Sequence, residues 1–440
     1  MKVEYRDLFE YSLYISSILG ILVHLVVISG WPVIAPLIAL SVVSLASSFL
    51  CLHAIPGTAQ LLLDAGLAGR DCHKKQRPLV AEAMGVAVGF TYAIGLTIFV
   101  PFVFLYRKEV GLHELKELSM FLSALLSINS MCFLGFADNV LNLRWRHKLT
   151  LPTIASLPVL FVYYIQGGST HVLVPDLIRK FFFPREPTLA VDFGFFYYAF
   201  LAMLSVFGTN AINILAGVNG IEVGQSIILS LAMVANVVIQ MNRHPWDSWQ
   251  FNDETVFSLY ILLPFLCCSI SLWIFNKYPS RVFVGDTYCY LAGTALAVAG
   301  ILGHCSKTLL LFMVPQVINF IYSLPQLFRL IPCPRHRMPV YVEELDQVGV
   351  SYTDWIDEKT LNRTLVSVIH TFGIARIERK ERNLIRFSNF TVINFLLWKV
   401  AKPVNEGTLV NVLLGIQLAW IMLAFLLRYK AAGFFYTLVD

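Results

Sequence analysis

Asp138 and Asn142 stand four residues apart, as do Arg144 and Lys148, in the string FADNVLNLRWRHK (136–148). If a helix runs through this string, each pair shares a face. A carboxylate, an amide and cations there can bind a metal or a phosphate. The alternative is an interfacial Arg/Trp/Lys anchor at a helix end. In NAINILAGVNGIEVGQS (210–226), Asn210 and Asn213 are three apart and also share a face. Two amides on an apolar helix cost energy unless they bind something. Gly217, Gly220 and Gly224 let backbone amides approach a base or phosphate closely, although many membrane loops need glycine merely to turn. Asp286 opens an apolar run in VFVGDTYCYLAG (282–293). A carboxylate there is either an N-terminal cap or a ligand for Mg2+, which usually takes only one or two protein ligands. Arg335, His336 and Arg337, held between Pro334 and Pro339, form either a fork for a diphosphate or a basic anchor for anionic lipid.

The elements that must position these groups follow from composition. Of 440 residues, 57% are hydrophobic and 14% charged, against about 25% charged in an ordinary soluble domain. Mean hydropathy is +0.68. A soluble enzyme, a disordered chain, a coiled coil and a secreted disulfide scaffold are all excluded, and a polytopic membrane protein remains. The eight scattered cysteines form no paired C-x-x-C pattern, so neither zinc nor a disulfide framework is expected. The net charge of +5 is small, and no nucleic-acid partner is expected.

Eleven apolar runs are long enough to span a bilayer: 8–29, 32–63, 84–105, 118–137, 149–166, 195–214, 224–242, 256–275, 287–306, 308–328 and 408–427. The first follows Lys2 and Arg6, but Glu4, Asp7 and Glu10 dilute the basic region and no small-x-small cleavage site follows, so it is read as an uncleaved span. Lys and Arg counts favour the loops after even-numbered spans as cytosolic only slightly. A second observation is stronger. GRDCHKKQ (69–76), FADNVLNLRWRHK, the glycine-rich string, YPSRVFVGD (278–286) and IPCPRHRMP (331–339) all fall on that one side. One site assembled at one membrane face is the expectation.

Together these strings resemble the polyprenyl-phosphate N-acetylhexosamine-1-phosphate transferases, in particular the eukaryotic type that acts on UDP-GlcNAc. The resemblance covers about residues 30–430, in order. It implies transfer of GlcNAc-1-phosphate from UDP-GlcNAc to dolichyl phosphate, the first step of lipid-linked oligosaccharide synthesis. It further implies ten transmembrane helices, a cytosolic catalytic face in the endoplasmic reticulum membrane, Mg2+ dependence, a homodimer and inhibition by tunicamycin. By the same resemblance Asn213 and Asp286 are the metal ligands. Arg70, Cys72, Glu82, Gly217, Asn219 and Phe283 belong to the uridine side. Arg335, His336 and Arg337 contact the diphosphate and sugar. Lys148, with Trp145 close by, lies near the lipid phosphate, and Asp138 and Asn142 complete the catalytic string.

The expected fold is an all-α polytopic protein with a small mixed α/β insert. Residues 1–30 form an extra N-terminal span, 31–328 the catalytic core, 329–407 a cytosolic substrate-binding region, and 408–440 the last span and tail. The region 329–407 holds β-like pieces at 339–343 and 365–370 and a charged stretch at 376–386. By resemblance it shapes the pocket for the sugar's acetamido group. Asn362 and Asn389 fit the glycosylation acceptor pattern and are expected to be unmodified on the cytosolic side.

Departures from the family pattern are specific. Its Asp-Asp reads Asp138-Asn139, its Pro-Glu-Ser reads Ala81-Glu82-Ala83, and its Asp-Leu-Asn reads Asp71-Cys72-His73. Asparagine keeps an oxygen ligand but loses a charge and cannot be a base. The competing readings are a relative using another sugar or lipid, a weakly active homologue because of Asn139, and a transporter. The last is disfavoured because the acids and bases of the motifs gather at one face rather than at mid-membrane.

Overall fold

The computed structural model describes residues 5–28, 31–105, 111–141, 143, 147–182, 190–243, 253–334, 336–356, 371, 373, 375–379, 384–431 and 433. Each of the eleven apolar runs is helical. The helices are α1 (Tyr5–Ile28), α2 (Trp31–Asp64), α3 (Gly85–Phe104), α4 (Leu112–Leu141), α5 (His147–Ile165), the short α6 (Asp176–Phe182), α7 (Phe195–Ile214), α8 (Ile221–Arg243), α9 (Asp253–Asn276) and α10 (Gly285–Leu302). They continue with α11 (Ser306–Phe312), α12 (Val314–Leu327), α13 (Val392–Val400) and α14 (Glu406–Leu426). Among the described residues eight helices are long and apolar enough to cross a membrane, and the pair α11–α12, bent by 67°, would make nine. The other two runs form α1, which opens with Asp7 and Glu10, and α10, whose first turn carries Asp286. The chain is a multi-pass membrane protein.

One expected continuity is not formed. The helix does not run through 136–148: α4 stops at Leu141 and α5 begins at His147. Asp138 Oδ1 accepts the Leu143 N–H at 3.0 Å, so the side chain that would continue the face instead closes the end of the helix. Asn142, Arg144 and Trp145 lie outside the described residues.

α10 is the axis of the bundle. It packs against α4, α7 and α9, and all of its residues from Thr287 to Leu302 are buried. Glycine permits the contacts. A side chain on Gly293 would collide with the backbone of Gly208 in α7, and a Cβ on Gly135 of α4 would stand 2.7 Å from Thr287 Cα. Backbones this close leave little freedom for the start of α10, which is where the chemistry-bearing residue sits.

Among the described residues strands are short and gather in four small sheets. A hairpin, β1 (Ala68–Arg70) with β2 (Leu79–Ala81), follows α2. A second pair, β3 (His171–Leu173) with β4 (Ala190–Asp192), connects α5 to α7. Between α12 and α13 lie the pair β5 (Val340–Val342) and β6 (Gln347–Gly349) and the three-stranded sheet of β7 (Tyr352–Ile356), β8 (Ile377–Arg379) and β9 (Leu384–Ser388), in the order β7-β9-β8. The expected strand at 339–343 is β5, the charged stretch 376–386 holds β8 and the start of β9, and 365–370 lies outside the described residues. Asn389 is buried, and its Oδ1 accepts from Gln326 Nε2 at 2.8 Å and Thr353 Oγ1 at 2.6 Å. Its amide nitrogen donates to Ser351 Oγ at 2.9 Å and is likewise occupied in the fold. Asn362 is not described.

Candidate active site

The ends of α4, α5, α7 and α10 bring four polar side chains together. Lys148 Nζ stands 2.7 Å from Asp138 Oδ2 and 3.3 Å from Asp286 Oδ2. Asn213 Nδ2 donates to Asp286 Oδ1. Tyr290, one turn along α10 from Asp286, donates its hydroxyl to Asp138 Oδ2 at 3.1 Å. Asn210 Nδ2 donates to Lys148 O at 3.3 Å and to Val206 O at 2.9 Å, which ties α7 to the start of α5. One cation thus sits between two carboxylates at the wall of the bundle. In so little water such a bridge is held tightly only while all its members are present.

The residue beside Asp138 has a different task. Asn139 Oδ1 accepts from the Thr287 N–H at 3.0 Å and the Thr287 hydroxyl at 2.8 Å. The oxygen that the sequence suggested as a ligand is committed to the amino end of α10. Gly285 beneath it has φ +67°, and a Cβ there would lie 2.7 Å from Asn139 Oδ1. Only glycine makes this approach without strain.

Asn139, Asn213 and Asp286 line a cleft of about 640 Å³ whose walls also include Gly69, Arg70, Cys72, Glu82, Gly217, Phe283, His336 and Arg337. The hairpin β1–β2 and the turn before α10 share one wall. Phe283 N–H donates to Ala81 O at 2.8 Å, and Met84 N–H donates to Phe283 O at 3.1 Å. The Phe283 ring lies over Gly69, where a Cβ would be 3.2 Å from the ring. Burial and the charge of Asp286 hold the Glu82 carboxyl above its ordinary pKa. Gly217, at φ +104°, faces Met338. Arg337 is half-buried, its Nη1 donates to Phe390 O at 3.2 Å, and desolvation lowers its pKa. His336 is exposed, as are Arg70 and Cys72. Arg335 lies outside the described residues.

A second polar cluster closes the back of the cleft. Glu406 at the start of α14 meets His73 Nδ1 at 3.0 Å and Lys74 Nζ at 2.6 Å, and it accepts from Asn219 Nδ2 at 2.7 Å and Asn219 N–H at 2.9 Å. His73 Nε2 lies 3.1 Å from Pro339 O. Asn219 also reaches Asp71 Oδ2 at 3.3 Å, and its own oxygen accepts the Ser280 N–H at 3.1 Å. The side chain of Asn219 is thus spent on joining the hairpin, the 217–220 turn, the α9–α10 turn and α14. Ligand atoms of Asp71, His73 and Glu406 lie within 4.8 Å of one another. In this structure the cluster acts as a latch, with Lys74 and His73 of the hairpin held on the Glu406 carboxylate of α14.

Asp286 and Asn213 offer a further candidate donor set for a divalent cation. Turning the Asn213 amide places its oxygen beside the carboxylate, and two hard oxygen donors suit Mg2+ with most of its waters kept. Tyr290, Glu406 and the Thr287 partner of Asn139 were not singled out in the sequence, and His73 entered only as a departure from the family pattern. Tyr290 was the findable one, four residues after Asp286 on the same helix face.

A family model described as Glycosyl transferase family 4 matches residues 121–304, a segment that contains Asp138, Lys148, Asn213 and Asp286. The chain is 38% identical over 400 residues to a protein of Saccharomyces cerevisiae named UDP-N-acetylglucosamine–dolichyl-phosphate N-acetylglucosaminephosphotransferase, covering 85% of this chain and 87% of the relative. A protein of the same name from Schizosaccharomyces pombe is 37% identical, over 87% of this chain and 89% of its own length. One from Dictyostelium discoideum is 44% identical over 317 residues, 68% of this chain and 75% of the relative.

Proposed function

The chain belongs to the UDP-N-acetylglucosamine–dolichyl-phosphate N-acetylglucosaminephosphotransferase family, and we propose that it transfers GlcNAc-1-phosphate from UDP-GlcNAc to dolichyl phosphate. The products are UMP and dolichyl-diphosphate-GlcNAc. The observation that carries the reading is Lys148 bridging Asp138 and Asp286 beside Asn213, with Asp286 and Asn213 at the wall of a cleft.

Phosphoryl transfer needs alignment and charge neutralisation more than covalent help from protein. An oxygen of the lipid phosphate attacks the sugar-linked phosphorus of the donor, the bond to the bridging oxygen breaks, and UMP leaves with that oxygen. Lys148 holds the incoming phosphate against electrostatic repulsion. Asp138, fixed by Tyr290 and Leu143 N–H, orients Lys148. Asp286 and Asn213 would hold Mg2+, which when bound withdraws charge from the diphosphate. Gly217 and Phe283 flank the uridine, with Arg70, Cys72 and Glu82 at the rim. His336 and Arg337, with Arg335 of the same string, serve the diphosphate and sugar. Asn219 acts by holding the 217–220 turn.

The same reading sets the protein in the endoplasmic reticulum membrane with the cleft facing the cytosol, as a homodimer. Support for the facing comes from the slight excess of Lys and Arg in the loops on that side. Against the weakly active alternative stands the engagement of the Asn139 oxygen with Thr287.

The test is direct. Purified protein receives UDP-GlcNAc, dolichyl phosphate and Mg2+, and UMP release is followed. Release that is abolished in Asp286→Ala and by tunicamycin supports the assignment. Absence of UMP with intact folded protein overturns it.

A further inference from the structure

The turn joining α9 to α10 carries Phe283 and leads into Asp286. Its two cations, Lys277 and Arg281, are met by two acids of α1. Arg281 Nη2 lies 2.9 Å from Asp7 Oδ2, and Lys277 Nζ pairs with Glu10 Oε2. Asp7 and Glu10 are three residues apart, hence on one helix face. Tyr11 adds a tie to α2, with its hydroxyl 3.0 Å from Ser48 Oγ.

These contacts differ from ordinary surface pairs, which contribute little. The Asp7 side chain is only 8% exposed. Arg281 is fixed from behind as well: it donates to Ile274 O at 2.8 Å and its guanidinium lies 4.8 Å from the centre of the Phe275 ring. Acids in a first turn also suit the helix dipole, but that alone would not aim them at two cations of another element. The far side of the same turn is bonded to the hairpin through Phe283 and Ala81. The turn is therefore gripped between the hairpin and α1.

We infer that α1 is a clamp acting in cis, and that Asp7 and Glu10 are positioning residues for the donor nucleotide. By neutralising Lys277 and Arg281 they hold the turn that presents Phe283 over Gly69 and starts α10 at Asp286. Without them two like charges on one short turn would draw it toward water. Phe283 lies on the donor side, whereas Asp138 and Lys148 of the acceptor side stand on α4 and α5 and meet the clamped turn only through Asp286, so the larger effect falls on the donor. This consequence rests on the proposed uridine-nucleotide donor; the clamp itself does not.

The test uses the full chain. The double variant Asp7→Asn with Glu10→Gln is compared with wild type and with the charge swap Asp7→Arg with Arg281→Asp. Thermal unfolding in detergent first selects folded samples. Hydrogen exchange of the 277–284 amides is measured with no substrate present, and KM is measured for donor and acceptor separately. In the double variant, exchange in this segment accelerates by roughly ten-fold and donor KM rises roughly three- to ten-fold, while acceptor KM rises by less. The swap restores both readouts in large part. Unchanged exchange at 277–284 overturns the clamp. Faster exchange with equal KM changes for both substrates overturns the positioning role. A wild type that releases no UMP defeats the proposed function instead, and the exchange data still judge the clamp.

Discussion

Asn139 Oδ1 accepts both the amide and the hydroxyl of Thr287, at 3.0 and 2.8 Å. The side chain fastens the end of α4 to the first turn of α10, and either an amide or a carboxylate oxygen can do this. Asn139→Asp should therefore keep activity within roughly three-fold, whereas Asn139→Ala should lose about 1–3 kcal/mol of stability through the unpaired Thr287 donors. Thermal unfolding and UMP release on the same preparations check both.

Lys148→Met removes the one positive charge between Asp138 and Asp286. Turnover should fall by at least roughly a hundred-fold, and stability by about 3 kcal/mol, because two carboxylates are left facing each other. Lys148→Met with Asp138→Asn should regain part of the stability and none of the turnover, which separates the two contributions.

Chelation should abolish UMP release, and added Mg2+ should restore it. Asn213→Ala should raise the Mg2+ concentration needed for half-maximal rate by roughly ten-fold, since it removes one of the two proposed oxygen donors. A titration of rate against Mg2+ for both proteins decides.

Glu82 yields a pH dependence. Its folded-state pKa lies above the ordinary value because of burial and the charge of Asp286. A raised carboxyl pKa means that the folded protein binds the proton more tightly than the unfolded chain. Ionisation therefore costs stability as pH rises through the ordinary carboxylate range and beyond. Glu82→Gln should unfold at a higher temperature than wild type at neutral pH, and the gap should close as pH falls toward about 4. Unfolding midpoints across that range, taken without ligand, provide the check.

Glu406→Gln should lower the unfolding midpoint by several degrees, since Lys74 and His73 lose the carboxylate that both face. Lys74→Met in the same chain should recover part of that loss. A scan of the single and double variants measures the coupling.

The spans were legible because an apolar run of about 20 residues has one solution in a bilayer. The polar strings were legible because Asp286, Asn213 and Lys148 sit where apolar runs begin or end. The end of α4 was not, because Leu141 and Leu143 differ only in whether Asp138 turns back on the chain. The latch was hidden by distance: His73 and Glu406 are 333 positions apart, and nothing near either announces the other. Tyr290 was masked by its surroundings, an aromatic ring in an apolar stretch whose hydroxyl matters only once Asp138 is opposite.

Thr287 to Leu302 is enclosed by protein along its whole length. Acyl chains reach the outer helices and not the one that presents Asp286. Changes in bilayer thickness or lipid order must then pass through the helices around it before they move Asp286. Chemistry performed on a membrane-borne substrate is thereby insulated from the mechanical state of the membrane that carries it.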